Sequence, residues 1–331
     1  MDKEWTRVLA VVALGILVPQ LMAGIGRIRY TQKPAFEETA PSAPPQLQET
    51  IPSGPEAAPL VIPVLMDEVV VEMDLEEYIR GVVLAEMPAY FDEEALKAQA
   101  VAARTYALRH MLIGKKHEIG AVCTRSSCCQ AYLSDEDYLS KRGNRSEWEK
   151  ITRAVAATAG QVLTYNGVLA DTTYFACSGG RTEDAAAVWG SEIPYLQAVD
   201  SPGEEEASSY EHTVFFEKDR FAQLLGRDLA GSPEQWLGRI TFTEGGGVDT
   251  IMIGGITYTG KQLRKSLGLK STAFTMTADE EGITVVTRGF GHRVGMSQYG
   301  ADAMAATGSN YLQILAHYYR GTKIDKMEDI R

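Results

Sequence analysis

A carboxylic acid sits where a core residue belongs. In "DLEEYIRGVVLAEMPAYF", residues 74–91, apolar side chains fall at Leu75, Tyr78, Ile79, Val82 and Val83, at spacings of i, i+3, i+4, i+7 and i+8. Those spacings draw one stripe along a helix. The next place on the stripe, i+11, is Glu86, and Pro88 stops the helix within a turn. Two readings compete. A glutamate near a helix end can lean into water or pair with a base, because charged side chains are rarely buried alone. A buried one has its pKa raised, keeps its proton and can act as a general acid.

Three further groups of residues carry chemistry. "CTRSSCCQAY" brings Cys123, Cys128 and Cys129 together, and Cys177 lies far away in "FACSGG". Three close thiols can hold zinc with one further ligand or a water. The competing reading is a disulfide or inert thiols, since an even cysteine count outside the cell permits two bridges. "FACSGGRTEDAAAVWG", residues 175–190, places Ser178 and small residues just after a strand, where a ligand can approach the backbone or where an ordinary loop can pass. "GFGHRVGMSQYGADAMAATG", residues 289–308, sets His292 among glycines and then Ser297, Gln298 and Tyr299 at a helix start. Hydroxyls, an amide and a tyrosine face suit a sugar, while a lone histidine is more often structural.

The elements that position these groups are mixed. "LVIPVLMDEVVVEMD" reads as one or two short strands entering the Glu86 helix. A second, alanine-rich helix follows Asp92, a plausible N-cap with Glu93 and Glu94 behind it. A third helix runs through "SEWEKITRAVAATAG" and closes at Gly160. "QVLTYNGVLADTTYFA" is a hairpin turned at Asn166-Gly167. Further strands are expected in "HTVFF", "GRITFTEGGGVDTIMIGG" and "FTMTADEEGITVVTRG", and a last helix in "YLQILAHYYRG". No Rossmann glycine pattern, Walker loop, G-x-S-x-G elbow or H-E-x-x-H motif occurs. The class is α+β, with short strands and helices mixed in one domain over residues 60–331.

Residues 8–26 carry no charge and approach the ~20 residues that span a bilayer. They are expected to be an uncleaved anchor within residues 1–30 rather than a signal peptide, because "LMAGIG" is a poor cleavage site. Residues 31–59, rich in Pro, Glu, Ser and Ala, read as an extended tether. Across the 331 residues the net charge is −12, which argues against nucleic acid as a partner.

Taken in order, "LAEMPAYFDEEALKAQAVAARTYAL", "CTRSSCCQAY", "YFACSGGRTEDAAAVWG" and "GFGHRVGMSQYGADAM" resemble the stage II sporulation protein D family, which includes amidase-enhancer proteins. The resemblance spans about residues 61–322. It implies a lytic transglycosylase that cuts peptidoglycan glycan strands after an amidase has removed the stem peptides. The setting implied is engulfment during endospore formation, with membrane partners. The protein would be a single-pass protein of the mother-cell membrane at the sporulation septum, its catalytic domain extracytoplasmic. The family's catalytic glutamate falls on Glu86. Substrate contacts fall on Arg104, Ser178, His292, Ser297, Gln298 and Tyr299. Relatives show Cys, four residues, His, Cys at the metal site; here Cys128 stands at the histidine position, so zinc would be held by Cys123, Cys128 and Cys129, with Cys177 free.

One acid suffices for that reaction. Glycoside hydrolysis usually needs two carboxylates. In a lytic transglycosylase the muramic acid's own C6 hydroxyl attacks the anomeric carbon, leaving a 1,6-anhydro sugar. The alternative is a noncatalytic, glycan-binding activator of a cell-wall amidase. A zinc hydrolase is a weaker third reading, since the cysteine cluster offers no obvious open position. The anchor expectation has a direct test: protease added to intact protoplasts should digest the C-terminal domain. A protected domain overturns the topology, and a mature N-terminus near Gly24 reveals a cleaved signal.

Overall fold

The computed structural model describes residues 60–114, 116–117 and 122–330. The expected anchor and tether lie outside them, and among the described residues no helix is long and apolar enough to cross a membrane. Strands β1 (Val61–Met66) and β2 (Val69–Asp74) form an antiparallel hairpin. Its turn residues Asp67 and Glu68 both adopt positive φ, 45° and 69°. That twist suits a tight two-residue hairpin turn. Helix α1 (Leu75–Glu86) follows, capped by Asp74, whose carboxylate accepts from the Glu77 amide at 3.0 Å. The stripe Leu75, Tyr78, Ile79, Val82 and Val83 is fully buried, as its spacing predicts.

Helix α2 (Glu93–Leu112) is the axis of the main core. Asp92 caps it, and Ala95, Ala98, Ala100, Ala102, Ala103 and Ala107 are buried along it. Small side chains on several faces let neighbours pack closely all round. The two-residue strand β3 (Val122–Cys123) pairs in parallel with β1 and docks the cysteine loop on the hairpin. Helices α3 (Asp135–Lys141) and α4 (Arg145–Ala157) follow, the second with an Asn144–Glu147 capping box. The Asn166-Gly167 turn joins β4 (Gln161–Tyr165) to β5 (Val168–Leu169), as expected, but the hairpin ends at Leu169. "TTYF" leaves it, and β6 (Tyr174–Phe175) instead pairs in parallel with a strand more than a hundred residues later.

After the short helix α5 (Ala185–Trp189) comes a β-rich stretch with its own hydrophobic cluster. It holds β7 (Glu211–Glu217), α6 (Lys218–Leu225), β8 (Leu237–Phe242), β9 (Val248–Ile253), β10 (Ile256–Thr259), α7 (Gly260–Leu267), β11 (Ala273–Ala278) and β12 (Gly282–Arg288). The strands form two antiparallel sheets, ordered β10-β9-β8 and β11-β12-β7. Phe221, Trp236, Ile253, Leu263, Phe274 and Ile283 fill the space around them. Strands β7, β8, β9, β11 and β12 match the sequence expectation, whereas β10 and the helices α3, α5, α6 and α7 are additional. The chain then returns to the main core through β13 (Met296–Ser297), α8 (Gln298–Ala306), α9 (Tyr311–Tyr318) and β14 (Lys323–Lys326), the last pairing with β4. The class is α+β.

Two polar groups pin these pieces. Arg104 is fully buried and forks onto Glu76, with Nε–Oε1 at 2.8 Å and Nη2–Oε2 at 2.6 Å, and donates to the Gln161 carbonyl at 3.1 Å. It ties α1, α2 and β4 together. Glu204 is only 1% exposed. Its Oε2 accepts from the amides of Ser178 at 3.0 Å, Gly179 at 2.9 Å and Gly180 at 3.2 Å, and from Ser178 Oγ at 2.7 Å. Its Oε1 accepts from Ser201 Oγ at 2.8 Å and from Ser297 Oγ. The next turn packs too tightly here for any side chain: a Cβ on Gly300 would stand 2.1 Å from Ser201 Oγ and 2.2 Å from Tyr318 Oη.

Removing this carboxylate orphans several buried donors at about 1–3 kcal/mol each. Glu204→Ala should therefore cost at least ~3 kcal/mol in urea unfolding, while Glu204→Gln, which keeps one acceptor, should cost less. Equal midpoints for wild type and the alanine variant would remove Glu204 from this role.

Candidate active site

A cleft of about 690 Å³ opens where the cysteine loop, β6, α5 and the glycine loop before β13 meet. Glu86, the last residue of α1, lies in its wall. Gly81 is why the cysteine loop can come so close. A Cβ there would lie 2.2 Å from the Tyr132 ring, and the Gly81 carbonyl accepts from the Leu133 amide at 3.0 Å. That contact brings the Ala131 amide within 2.8 Å of Glu86 Oε1. Burial pushes the Glu86 carboxyl above the ordinary glutamate range; the Ala131 amide and the Gln298 side chain pull it part of the way back. Burial is the larger effect, so Glu86 holds its proton more tightly than a surface glutamate.

Gln298, the first residue of α8, also lines the cleft and is 5% exposed; its amide stands near enough to Glu86 to lower that carboxyl's pKa but does not complete a hydrogen bond of good geometry. A buried amide whose donor capacity is only partly used is free to turn toward a ligand in the cleft. His292 lines the cleft as well. Its Nδ1 accepts from the Val294 amide at 3.1 Å, which leaves the proton on Nε2. Burial, reinforced by the Arg264 charge, holds its pKa down to about 4, so the imidazole is neutral. Trp189 and Phe290, 40% and 43% exposed, offer flat apolar faces in the same walls. Neither stood out in the sequence, because only their position on the cleft distinguishes them from ordinary loop aromatics.

The other expected contacts lie elsewhere. Arg104 is committed to Glu76, and Ser178 and Ser297 are fully buried against Glu204, so none of the three lines the cleft. Tyr299 also lies outside the lining. Its ring packs edge-on against Phe91 at 5.0 Å, and its hydroxyl, close to Tyr90, pushes that phenol up to about 12. These residues hold the elements that carry Glu86, Gln298 and His292. Polar residues in glycine-rich stretches read alike in sequence whether they face a ligand or a buried carboxylate.

The cysteine loop gathers four donors rather than three. His117 joins Cys123, Cys128 and Cys129, with all four donor atoms within 4.8 Å of one another. His117 Nε2 lies 3.6 Å from both Cys128 Sγ and Cys129 Sγ, and the two sulfurs are 4.0 Å apart. Tetrahedral zinc, with bonds of ~2.3 Å to sulfur and ~2.0–2.1 Å to nitrogen, needs separations of about 3.8 Å between sulfurs and about 3.6 Å between nitrogen and sulfur. The donors fit. Burial pushes the Cys129 thiol up to about 12; it opposes ionisation of Cys123 too, but hydrogen bonds from the Arg125 amide and the neighbouring donors bring that thiol to about 6. Cys177 stands apart, buried, with its thiol 3.4 Å from Glu204 Oε2. All four cysteines are free thiols.

The stage II sporulation protein family model matches residues 67–165. The stage II sporulation protein D of Bacillus subtilis (strain 168) is 42% identical over 280 residues, covering 82% of this chain and 81% of that protein. That of Bacillus amyloliquefaciens is 40% identical over 278 residues, covering 82% and 80%. An amidase enhancer of Bacillus subtilis (strain 168) is 29% identical over 304 residues, 74% of this chain and 40% of that protein. With identity of this extent over about four-fifths of both chains, the chain belongs to the stage II sporulation protein D family.

Proposed function

We propose that this protein is a peptidoglycan lytic transglycosylase acting on glycan strands freed of their stem peptides during endospore formation. The observation that carries the reading is the lone, partly buried acid: among the described residues lining the cleft, Glu86 is the one carboxylate. A hydrolase with two carboxylates would need a second. Glu86 donates its proton to the glycosidic oxygen as the bond from the muramic acid anomeric carbon to that oxygen breaks. The C6 hydroxyl of the same sugar then bonds the anomeric carbon, and its proton passes to the Glu86 carboxylate, restoring the acid. Gln298 is placed to hold the carboxyl or the sugar's amide, and Trp189 and Phe290 to support sugar rings.

The family also supports a second reading, a noncatalytic activator of a cell-wall amidase, because one relative is named an amidase enhancer. Only the enzyme leaves anhydro-muramic ends. In either reading the partners are glycan strands, a sporulation amidase and membrane proteins of the engulfment complex. The apolar run at residues 8–26 would place the domain outside the mother-cell membrane.

Zinc would be held by His117, Cys123, Cys128 and Cys129. Four protein donors leave no open position for water, so the ion's chemistry there is structural. It would fix the loop whose Ala131 amide holds Glu86. About one zinc per chain is expected in protein purified without added metal. Chelation should lower the melting temperature, since structural zinc in small sites is worth roughly 10 kcal/mol or more in apparent binding. Metal-free protein with an unchanged melt overturns this.

Glu86→Gln keeps the shape but has no transferable proton. Mass spectrometry of denuded glycans should show anhydro-muramic product reduced by roughly 100- to 10,000-fold or more. Wild-type activity should fall as pH rises through the folded-state pKa of Glu86, because the acid loses its proton. Stability runs with the same titration. A carboxyl with a raised folded pKa costs nothing by burial below its unfolded pKa, and costs progressively more as pH rises to the folded one. The melting temperature of Glu86→Gln relative to wild type should therefore climb through that window and level off above it. Full activity in the variant would remove Glu86 from the mechanism.

A further inference from the structure

A smaller pocket of about 200 Å³ adjoins the cleft, and His292 lines both. Its floor is the β-rich stretch, through Thr272 and the α7 residue Arg264, with Lys261 one turn earlier. Arg264 is half-buried, and its guanidinium makes no ion pair or hydrogen bond to a described residue. Burial lowers its pKa with no neighbouring carboxylate raising it again. The pocket does hold two acids, but neither answers this charge. Glu183 is engaged by the Thr243 hydroxyl at 2.8 Å and the Gly245 amide at 3.2 Å and lies 3.7 Å from Arg293 Nη1. Asp249 is exposed and within reach of Thr241 at 3.4 Å. An uncompensated cation in a pocket is a site awaiting an anion. Ala187 and Val188 add apolar side chains to the same lining.

We propose that this pocket is a specificity subsite in which Arg264, assisted by Lys261, receives the free lactyl carboxylate of a muramic acid whose stem peptide has been removed. The inference rests on the glycan-cutting reading above and adds to it how denuded strands are told from others. The lactyl group is a methyl beside a carboxylate, which matches a pocket lined by both apolar side chains and a planar guanidinium fork. A muramic acid still carrying its peptide has an amide there instead. It would bring no charge to Arg264 and would have to thread a peptide through a small pocket. Discrimination thus comes from an attraction present in one substrate and a steric and desolvation cost in the other.

Arg264 is offered as a specificity residue, so its test must separate the carboxylate from the rest of the sugar. Binding is measured by calorimetry with the full chain carrying Glu86→Gln, so that strands are held and not cut. The probes are a peptide-free tetrasaccharide of alternating N-acetylglucosamine and N-acetylmuramic acid, its lactyl methyl ester, and chitotetraose, which has no lactyl group. The carboxylate form should bind at least tenfold tighter than the ester. Adding Arg264→Gln should abolish that difference and leave the ester and chitotetraose unchanged, and Arg264→Lys should restore part of it. Equal weakening of all three probes marks Arg264 as structural and overturns the proposal. So does a variant that still prefers the carboxylate, or a protein that binds none of the probes. Product analysis with wild-type chain is a separate arm: strands bound with carboxylate preference but never cut would sink the lytic reading and leave the subsite standing.

Discussion

The Glu204 carboxylate gathers three segments that are far apart in the chain. The turn at Ser178, Gly179 and Gly180 gives it backbone amides, Ser201 gives it a hydroxyl from its own loop, and Ser297 gives it one from the start of α8. Taking a carboxylate out of water is expensive, and only converging donors make it tolerable. The same contacts solve the donors' problem, because the tight turn's amides have no helix or sheet to pair with. With Ser297 held, Gln298 is delivered into the cleft as the next residue, and Gly300 leaves room for the turn. One wall of the site is thus set by a group that never touches it.

The opposite wall is set by the cysteine loop. Its strand pairs with β1, its Leu133 amide bonds the Gly81 carbonyl, and its Ala131 amide holds Glu86. Two effects of opposite sign then meet on the Glu86 carboxyl. Burial raises its pKa and the Ala131 hydrogen bond lowers it, with burial the larger. The proposed mechanism, in which the acid gives and then retakes one proton, would need that intermediate condition. Too strong a hydrogen bond to the charged form would strip the proton, and too little polar contact would let the side chain swing. A zinc ion on His117 and the three thiols would hold the loop's shape, and through Ala131 the balance on Glu86.

The β-rich stretch contributes no acid to the main cleft. It has a separate hydrophobic cluster and returns to the main core on Arg293, a buried guanidinium at φ 67° that donates to the carbonyls of Ser178, Arg181 and Gly245. Its place beside the glycine loop lets it supply Arg264 to the neighbouring pocket. A second small core offers a way to add a recognition surface while leaving the packing around Glu86 unaltered.

The apolar stripe of α1, the Asp92 cap, the Asn166-Gly167 turn and, apart from β10, the short strands of the β-rich stretch were legible from the sequence. Each is a local pattern whose cause lies within a few residues: periodicity, a side chain capping its own helix, a turn that demands positive φ. Glu86 was legible for the same reason, as a break in a periodic stripe. The class followed from adding these elements together. The sequence did not distinguish Ser178 and Ser297, which bind Glu204, from Gln298 and His292, which face the cleft, since polar residues in glycine-rich loops have no period to reveal their direction. Nor did it single out His117 as a fourth donor, Arg104 as the partner of Glu76, or Trp189 and Arg264 as pocket walls. Those assignments depend on which distant segments meet, and only burial against a particular neighbour decides whether a polar side chain is satisfied by the protein or left facing a ligand.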